Sequence, residues 1–440
     1  MMYSQALQYL YSFFNLERVS QFSYRRELNL QRVKLLLEWF QYPERNFKSV
    51  LIAGTKGKGS TAFLLQSMLC ANGIKTGLYT SPHLSDFRER IRIGNQLISE
   101  RELARLVFKI KSVIESKRKE ICKFEPITFF EVSTLLAFLF FADRKVDWAV
   151  LEVGMGGRLD ATNAVCQSLS ILTLIGFDHE EHLGHTISKI AGEKAAVLKP
   201  DIPFVSTKQK PDALLVIRKK AKQVKVPGIF LNQDFRCRIR SESMDGSRFD
   251  FKMKGLKISN LRVKLPGAFQ VENAALALAG LMVLKEKFQL PVSESGIRKG
   301  LLGSGWPGRF EIVKRRGATY IIDGAHNQDS MLALVKGIQR LFRNQKIITI
   351  FGISREKNLK VLLPILARVS ENMVVTKAAH VRAELPKFIV EAGKPYFHLM
   401  IPTDNIRTAL SYAKKMELSN PIVLITGSLF LAGEAGKLLK

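Results

Sequence analysis

Apolar and polar residues alternate at helical spacing through residues 1–46, where Leu35-Leu36-Leu37 and Trp39-Phe40 mark a core stripe. A different unit then begins to repeat. Ser49-Val50-Leu51-Ile52-Ala53 reads as a short buried strand, a glycine-rich loop follows at once, and Thr61–Asn72 reads as a helix. Further strands are predicted at Thr76–Thr80, Trp148–Val153 and Leu169–Ile175, with a helix at Phe129–Ala142. Strand, loop and helix in series predict a parallel sheet covered by helices, with ligand-binding loops at the carboxyl ends of the strands.

Residues 202–266 hold shorter strand-like pieces such as Phe249–Met253, and a helix is predicted over Val271–Lys287. Five glycines and Pro307 within Gly296–Gly308 predict an inter-domain hinge. Beyond it, Thr319–Ile322, Lys346–Phe351, Met373–Thr376 and Pro421–Thr426 read as strands with helices between them. The expected fold is α/β throughout. A domain with a mostly parallel sheet would span residues 1–302, a smaller Rossmann-like α/β domain residues 303–440, and a cleft would lie between them.

The chain has 440 residues, 46% hydrophobic and 24% charged, which excludes a disordered or fibrous protein. The longest uncharged apolar runs, Val132–Ala142 and Ala274–Leu284, have 11 residues each; a membrane-spanning helix needs about 20. The N-terminus lacks the basic start of a secretory signal. A cytoplasmic protein with no membrane partner is expected. Cys70, Cys122, Cys166 and Cys237 lie far apart with no Cys-x-x-Cys pair, so reduced structural thiols are expected.

Charge changes the picture more. There are 68 basic and 39 acidic side chains, net +29. Residues 303–440 carry 21 basic and 10 acidic residues, net +11, leaving +18 for residues 1–302. The excess is spread along the chain, with no basic tail and no basic stripe interleaved with aromatics, so no nucleic-acid partner is expected. A diffuse positive field suits small anionic substrates.

The loop Gly54-Thr55-Lys56-Gly57-Lys58-Gly59-Ser60-Thr61 lies between a strand and a helix. In that position main-chain N–H groups and the helix N-terminus can hold phosphate oxygens while lysine balances their charge. It departs from the G-x-x-x-x-G-K-[ST] template, because Ile52 and Gly59 fall where the first glycine and the hydroxyl residue belong. Glu152-Val-Gly-Met-Gly-Gly-Arg-Leu-Asp160-Ala-Thr-Asn163 places an acid at a strand's end, then three glycines, an arginine and a second acid. A carboxylate beside a phosphate loop is where a Mg²⁺ ligand is needed, since the hard cation prefers oxygen; the plainer alternative is a buried acid capping a turn. Asp178-His179 and Glu193-Lys194 converge on the same sheet edge. In the second domain Asp323-Gly-Ala-His326-Asn327 and Thr426-Gly427-Ser428 end strands, and Trp306-Pro307-Gly308-Arg309 lies at the predicted hinge. Two domains with polar strand ends predict a two-substrate enzyme that closes to react.

Taken together, these residues resemble the folylpolyglutamate synthase/dihydrofolate synthase family of ATP-dependent Mur-type ligases. The resemblance runs in order from about residue 24 to 436. It includes Gly54–Ser60, Ser81-Pro-His-Leu84, Thr128-Phe-Phe-Glu131, Glu152–Asn163, Asp178-His179 and Glu193-Lys194-Ala195, then Gln270-x-x-Asn273-Ala274, Trp306–Arg309, Asp323–Asn327 and Thr426-Gly-Ser-Leu429.

The resemblance implies an ATP- and Mg²⁺-dependent ligase that adds L-glutamate to dihydropteroate, to a reduced folate or to both, through an acyl phosphate. Thr55, Lys56, Gly57, Lys58, Gly59 and Ser60 would hold ATP, with Asn273, Arg309 and Asp323 on the nucleotide. Ser81, Glu152 and His179 look like the family's Mg²⁺ ligands. Lys194 matches a lysine that the family carbamylates, making it a carboxylate-like ligand for a second Mg²⁺. Glu27, Leu28, Thr128, Phe130 and Asp160 match the pterin end, and His326 and Ser428 match positions near the incoming glutamate. Lys58, Lys194 and His326 would serve the chemistry, and a monomer is implied. Departures are Lys56 where many bacterial relatives have Asn, Glu27 where Asp is common, and Asn358 where an acid is usual. The alternatives are a cell-wall Mur-type ligase, a nucleic-acid-stimulated ATPase and an inactive binding module. Thr128–Glu131 and Glu152–Asn163 favour the folate branch.

Overall fold

The computed structural model describes residues 1–19, 22–121, 126–303, 305–315, 317–343, 345–416 and 421–440. The chain forms two compact units, one of residues 1–238, 250–261 and 272–303, the other of residues 239–249, 262–271 and 304–440.

The first unit is built on an eight-stranded sheet. Its strands are β1 (Lys48–Ala53), β2 (Thr76–Tyr79), β3 (Ile91–Ile93), β4 (Gln96–Leu97), β5 (Trp148–Glu152), β6 (Leu169–Leu172), β7 (Phe204–Ser206) and β8 (Gly228–Phe230). The spatial order is β4-β3-β2-β5-β1-β6-β7-β8. From β2 to β8 all neighbours are parallel, and only β3 and β4 run antiparallel at one edge. Crossover helices cover both faces of such a sheet, so its central strands read as continuous apolar runs. Val50, Leu51, Ile52 and Ala53 of β1 are accordingly all fully buried. The helix Phe129–Asp143 is apolar all round and buried on every side from Phe129 to Phe141 apart from Phe130, as a helix inside a core must be.

Register levels the strand ends that matter. Tyr79 pairs with Leu151, Ile52 with Glu152, and Ala53 with Leu172. The loops after β2, β5, β1 and β6 therefore leave one edge of the sheet side by side.

A three-stranded sheet of β9 (Phe235–Ser243), β10 (Gly246–Met253) and β11 (Leu256–Val263) has β10 in the middle. The helix Ala268–Phe288 follows. By length and composition it could cross a bilayer, yet 72% of its apolar window is buried inside the protein. The second unit holds a six-stranded sheet of β12 (Glu311–Arg315), β13 (Ala318–Ile322), β14 (Ile347–Phe351), β15 (Asn372–Val375), β16 (Leu399–Pro402) and β17 (Ile422–Thr426). Its order is β12-β13-β17-β14-β15-β16, with only β12 antiparallel.

The expected α/β architecture is present, with several local corrections. The helix expected from Thr61 starts at Lys58, and the strand expected to reach Ile175 stops at Leu172. The edge strands β12 and β16 escaped the pattern because they are only partly buried. Among the described residues Cys70, Cys166 and Cys237 are free thiols, with Cys166 exposed; Cys122 lies outside them. The glycine-rich stretch read as a hinge is helical over Glu294–Leu301. Gly296, Gly300 and Gly303 serve close packing: a Cβ on Gly300 would lie 2.4 Å from Met68 Cα in the helix Lys58–Ala71, and Ser67 Oγ donates to Gly300 O at 2.8 Å.

Gly300→Ala is expected to cost about 1–3 kcal/mol, since the extra methyl meets main chain that cannot yield. Gly305→Ala, which meets nothing within 4 Å, should be near neutral. Urea unfolding midpoints of the two variants check this; equal midpoints would contradict the packing role.

Candidate active site at the strand ends

The loop after β1 is braced on the loop after β6. The N–H groups of Thr55 and Lys56 both donate to Leu174 O, at 2.9 and 3.1 Å. Thr55 Oγ1 donates to Gly176 O and accepts from Gly176 N–H, each at 3.1 Å. Lys56 Nζ pairs with Asp178 at 2.8 Å, with both side chains mostly buried. Gly57 then turns left-handed, φ 84°, and serves as the N-cap of the helix Lys58–Ala71. A side chain at Gly57 would strike Asn273, whose Oδ1 lies 2.3 Å from the Cβ position. This turn aims the first-turn N–H groups of Lys58, Gly59 and Ser60 off the helix end, where the helix geometry itself supplies no acceptor. Such an end is an anion site.

Lys194 sits in the helix Ile187–Ala195 and is 4% exposed. Burial and the charges of Lys58 and Lys56 hold its amine down to about 7, although Asp178 and Asp160 act in the opposite direction. Three lysines thus converge on the loop.

Glu152 ends β5, 4% exposed, and accepts from Ser81 N–H at 3.2 Å across the adjacent strand end. His179 follows β6 in the left-handed region, φ 51°, at the N-cap of the helix Glu180–Leu183. Among the described residues no three His, Cys, Asp or Glu side chains form a ready metal cluster. A buried carboxylate beside a serine still fits Mg²⁺, which is held by one or two carboxylates together with substrate phosphates and water.

Asp160 is saturated by its own loop. It accepts from Thr162 N–H at 3.0 Å, Thr162 Oγ1 at 2.5 Å and Met155 N–H at 2.9 Å. Burial raises its pKa against those hydrogen bonds, so Asp160 is the acid that shapes the turn. Thr128 is fully buried, and its Oγ1 accepts from Glu131 N–H at 3.2 Å at the start of its helix. Phe130 lies over Gly154, where a Cβ would come 2.6 Å from the ring. Leu28 is buried, and Glu27 O accepts from Arg32 at 2.6 Å. Arg32 and Glu131 form an ion pair of 2.7 Å with each side chain 1% exposed. Ninety-nine residues separate them, and no local pattern could have announced the pair.

In the second unit Asp323 directly follows β13 and accepts from Phe310 N–H and Ala325 N–H, both at 2.8 Å. Burial raises its pKa, opposed first by Arg309. His326 donates from Nδ1 to Gly324 O at 2.8 Å. Ser428 caps the helix Leu429–Leu439, and Gly427 N–H donates to Ala325 O at 3.0 Å. His326 and Ser428 therefore stand at the ends of the paired strands β13 and β17.

Two family models match the chain, and curated relatives cover nearly all of it. The Mur ligase middle domain matches residues 52–281, and the Mur ligase glutamate ligase domain matches residues 308–429. The chain is 34% identical to the dihydrofolate synthase/folylpolyglutamate synthase of Bacillus subtilis, over 93% of this chain and 95% of that protein. It is 32% identical to the folylpolyglutamate synthase of Lacticaseibacillus casei, over 98% and 97%. The Mycobacterium tuberculosis folylpolyglutamate synthase complexed with ADP superposes with a TM-score of 0.91 at 28% identity, covering 99% of this chain and 98% of that one. Matched along nearly its whole length and sharing the fold, this chain belongs to the folylpolyglutamate synthase/dihydrofolate synthase family of Mur-type ligases.

Proposed function

We propose that the chain is an ATP-dependent ligase that joins L-glutamate to a pterin-bearing carboxylic acid, either dihydropteroate or a reduced folate. The observation that carries this reading is the buried Lys194 beside Lys58 and Lys56 at the phosphate-type loop. The relatives' names supply the substrate class.

The acid's carboxylate attacks the γ-phosphate of ATP and gives an acyl phosphate and ADP. The amine of glutamate then attacks the activated carbonyl and releases phosphate. Both partners of the first step are anions and repel one another. Lys58, Lys56 and the first-turn N–H groups of the helix Lys58–Ala71 offset that repulsion and the charge on the transferring phosphoryl. Ser81, Glu152 and His179 would hold Mg²⁺, which supplies Lewis-acid stabilisation of phosphoryl oxygens. An amine held near neutrality has a neutral fraction able to take up CO₂, and Lys194 as its carbamate would become an oxygen donor for a second Mg²⁺. Phe130 over Gly154 offers a flat apolar wall, and with Glu27, Leu28, Thr128 and Asp160 it is assigned to the pterin end. Asn273, Arg309 and Asp323 are assigned to nucleotide contact, and His326 and Ser428 to the incoming glutamate. The ATP-binding domain is taken as residues 1–302 and the glutamate-ligase domain as residues 303–440. The enzyme acts as a cytoplasmic monomer without a nucleic-acid partner.

Mg²⁺-dependent ADP release with ATP and L-glutamate is expected with dihydropteroate, with a reduced folate monoglutamate, or with both. Turnover with dihydropteroate makes it a dihydrofolate synthase, and turnover with the folate alone removes the pterin assignment of Thr128, Phe130 and Asp160. No turnover with either in folded, Mg²⁺-replete protein would contradict the reading and turn attention to cell-wall acceptors.

Lys194→Ala should lose most activity and regain part of it with added short carboxylic acids; full activity without them would refute the carbamate. Glu152→Ala should lower turnover strongly, and an unchanged Mg²⁺ dependence would refute its ligand role.

The amine also predicts a pH effect on stability. Between about 7 and its ordinary value of 10.5 the folded protein keeps Lys194 neutral while the unfolded chain binds a proton there. Stability therefore rises with pH across that window. In metal-free, CO₂-free buffer, Lys194→Met should flatten this rise, read as the difference in urea midpoint between pH about 7 and about 9. An unchanged difference would contradict the lowered value.

A further inference from the structure

Glu193, the residue before Lys194, makes contacts that the reaction does not use. Its carboxylate accepts from Arg158 Nε at 3.1 Å and Arg158 Nη2 at 2.8 Å, and from Tyr24 Oη at 3.1 Å. Its main-chain oxygen accepts from Arg158 N–H at 3.0 Å. Tyr24 opens the four-residue helix Tyr24–Glu27 and is 6% exposed. Its hydroxyl lies 2.2 Å from where a Cβ on Gly156 would stand, so the contact exists only because position 156 is glycine, φ 66°. Burial and the neighbouring carboxylate push the Tyr24 hydroxyl's pKa up, so it remains a donor to Glu193. Three segments far apart in sequence thus meet on one side chain: the loop leading to Glu27 and Leu28, the glycine turn behind Glu152, and the helix carrying Lys194.

The other end of the short helix is fastened independently. Arg32 donates to Glu27 O and to the Glu131 carboxylate, which also accepts from Thr128 N–H at 2.8 Å. At the Tyr24 end the side-chain hydrogen bond goes to Glu193, while the ring is buried in the core. Arg158 is 43% exposed in its pair with Glu193. A partly solvated pair of this kind contributes little to global stability, while it can fix the position of what it touches.

We infer that Glu193 is a positioning residue for the acid substrate: with Tyr24 and Arg158 it latches the substrate-side loop and the glycine turn onto the helix that carries Lys194. The inference rests on the reading that Glu27, Leu28 and Phe130 face the pterin end. Removing the latch frees the loop without touching the phosphate site, so the affected quantity is KM for the acid.

The test combines kinetics with amide hydrogen exchange on full-length Tyr24→Phe, Glu193→Ala and the double variant. KM for the acid substrate should rise roughly tenfold in each single variant, with KM for ATP within about twofold of the parent. The double variant should be no worse than the worse single one, because both single variants already lack the Tyr24–Glu193 hydrogen bond. Exchange at the Glu27 and Leu28 amides should speed up while the helix Phe129–Asp143 stays protected. Unchanged exchange overturns the latch whether or not the protein turns over either acid. A parallel rise of KM for ATP, or additive effects, overturns the positioning role. Inactive parent enzyme with altered exchange leaves the latch standing and removes the substrate reading instead.

Discussion

A lysine buried beside two other lysines is the constraint on which the first unit depends. Lys194 is 4% exposed and shares its surroundings with Lys58 and Lys56. Charge of one sign gathered out of water is costly unless something negative answers it. The protein answers part of it with Asp178, tied to Lys56 at 2.8 Å, and with Asp160. The remainder fits a polyanionic phosphate group at the helix end. The braces between the loops after β1 and β6, the left-handed Gly57 and the level strand ends hold Lys56, Lys58 and the helix end in place before any anion arrives. Preorganisation of that kind is what electrostatic catalysis requires.

Burial of the strands made the fold legible. Continuous apolar runs in β1, β5, β14 and β17 are visible as sequence because crossover helices cover both faces of a parallel sheet. Edge strands β12 and β16 carry no such run and were missed. Glycine misled in two places, for one reason. Gly59 looked like loop yet lies in the first helical turn, and Gly296 and Gly300 looked like a hinge yet lie in a helix packed on its neighbour. A glycine reports that space or backbone freedom is needed; the sequence does not say which.

The site was legible where it is local. Gly54–Ser60 and Glu152 stand in strings whose spacing follows from a helix start and a strand end, whereas Lys194 lies in the last turn of its helix and is singled out by the resemblance alone. Asp160 also braces its own turn, where its carboxylate accepts from Met155 and Thr162, a contact set within reach of a local reading. What joins the strings was not legible. Arg32 meets Glu131 across 99 residues and Tyr24 meets Glu193 across 169, distances over which neither periodicity nor motif carries information. The net charge of +29 is spread along the sequence, +18 before residue 303 and +11 from there on, which makes it a diffuse field.

If ATP activates the acid substrate as an acyl phosphate, one carboxylate oxygen must pass to the phosphate released. The acid would be supplied with its carboxylate labelled with oxygen-18, together with ATP, Mg²⁺ and L-glutamate. One labelled oxygen should leave in inorganic phosphate for each amide formed, with ADP as the nucleotide product. Label found in AMP, or amide formed with unlabelled phosphate, would contradict it.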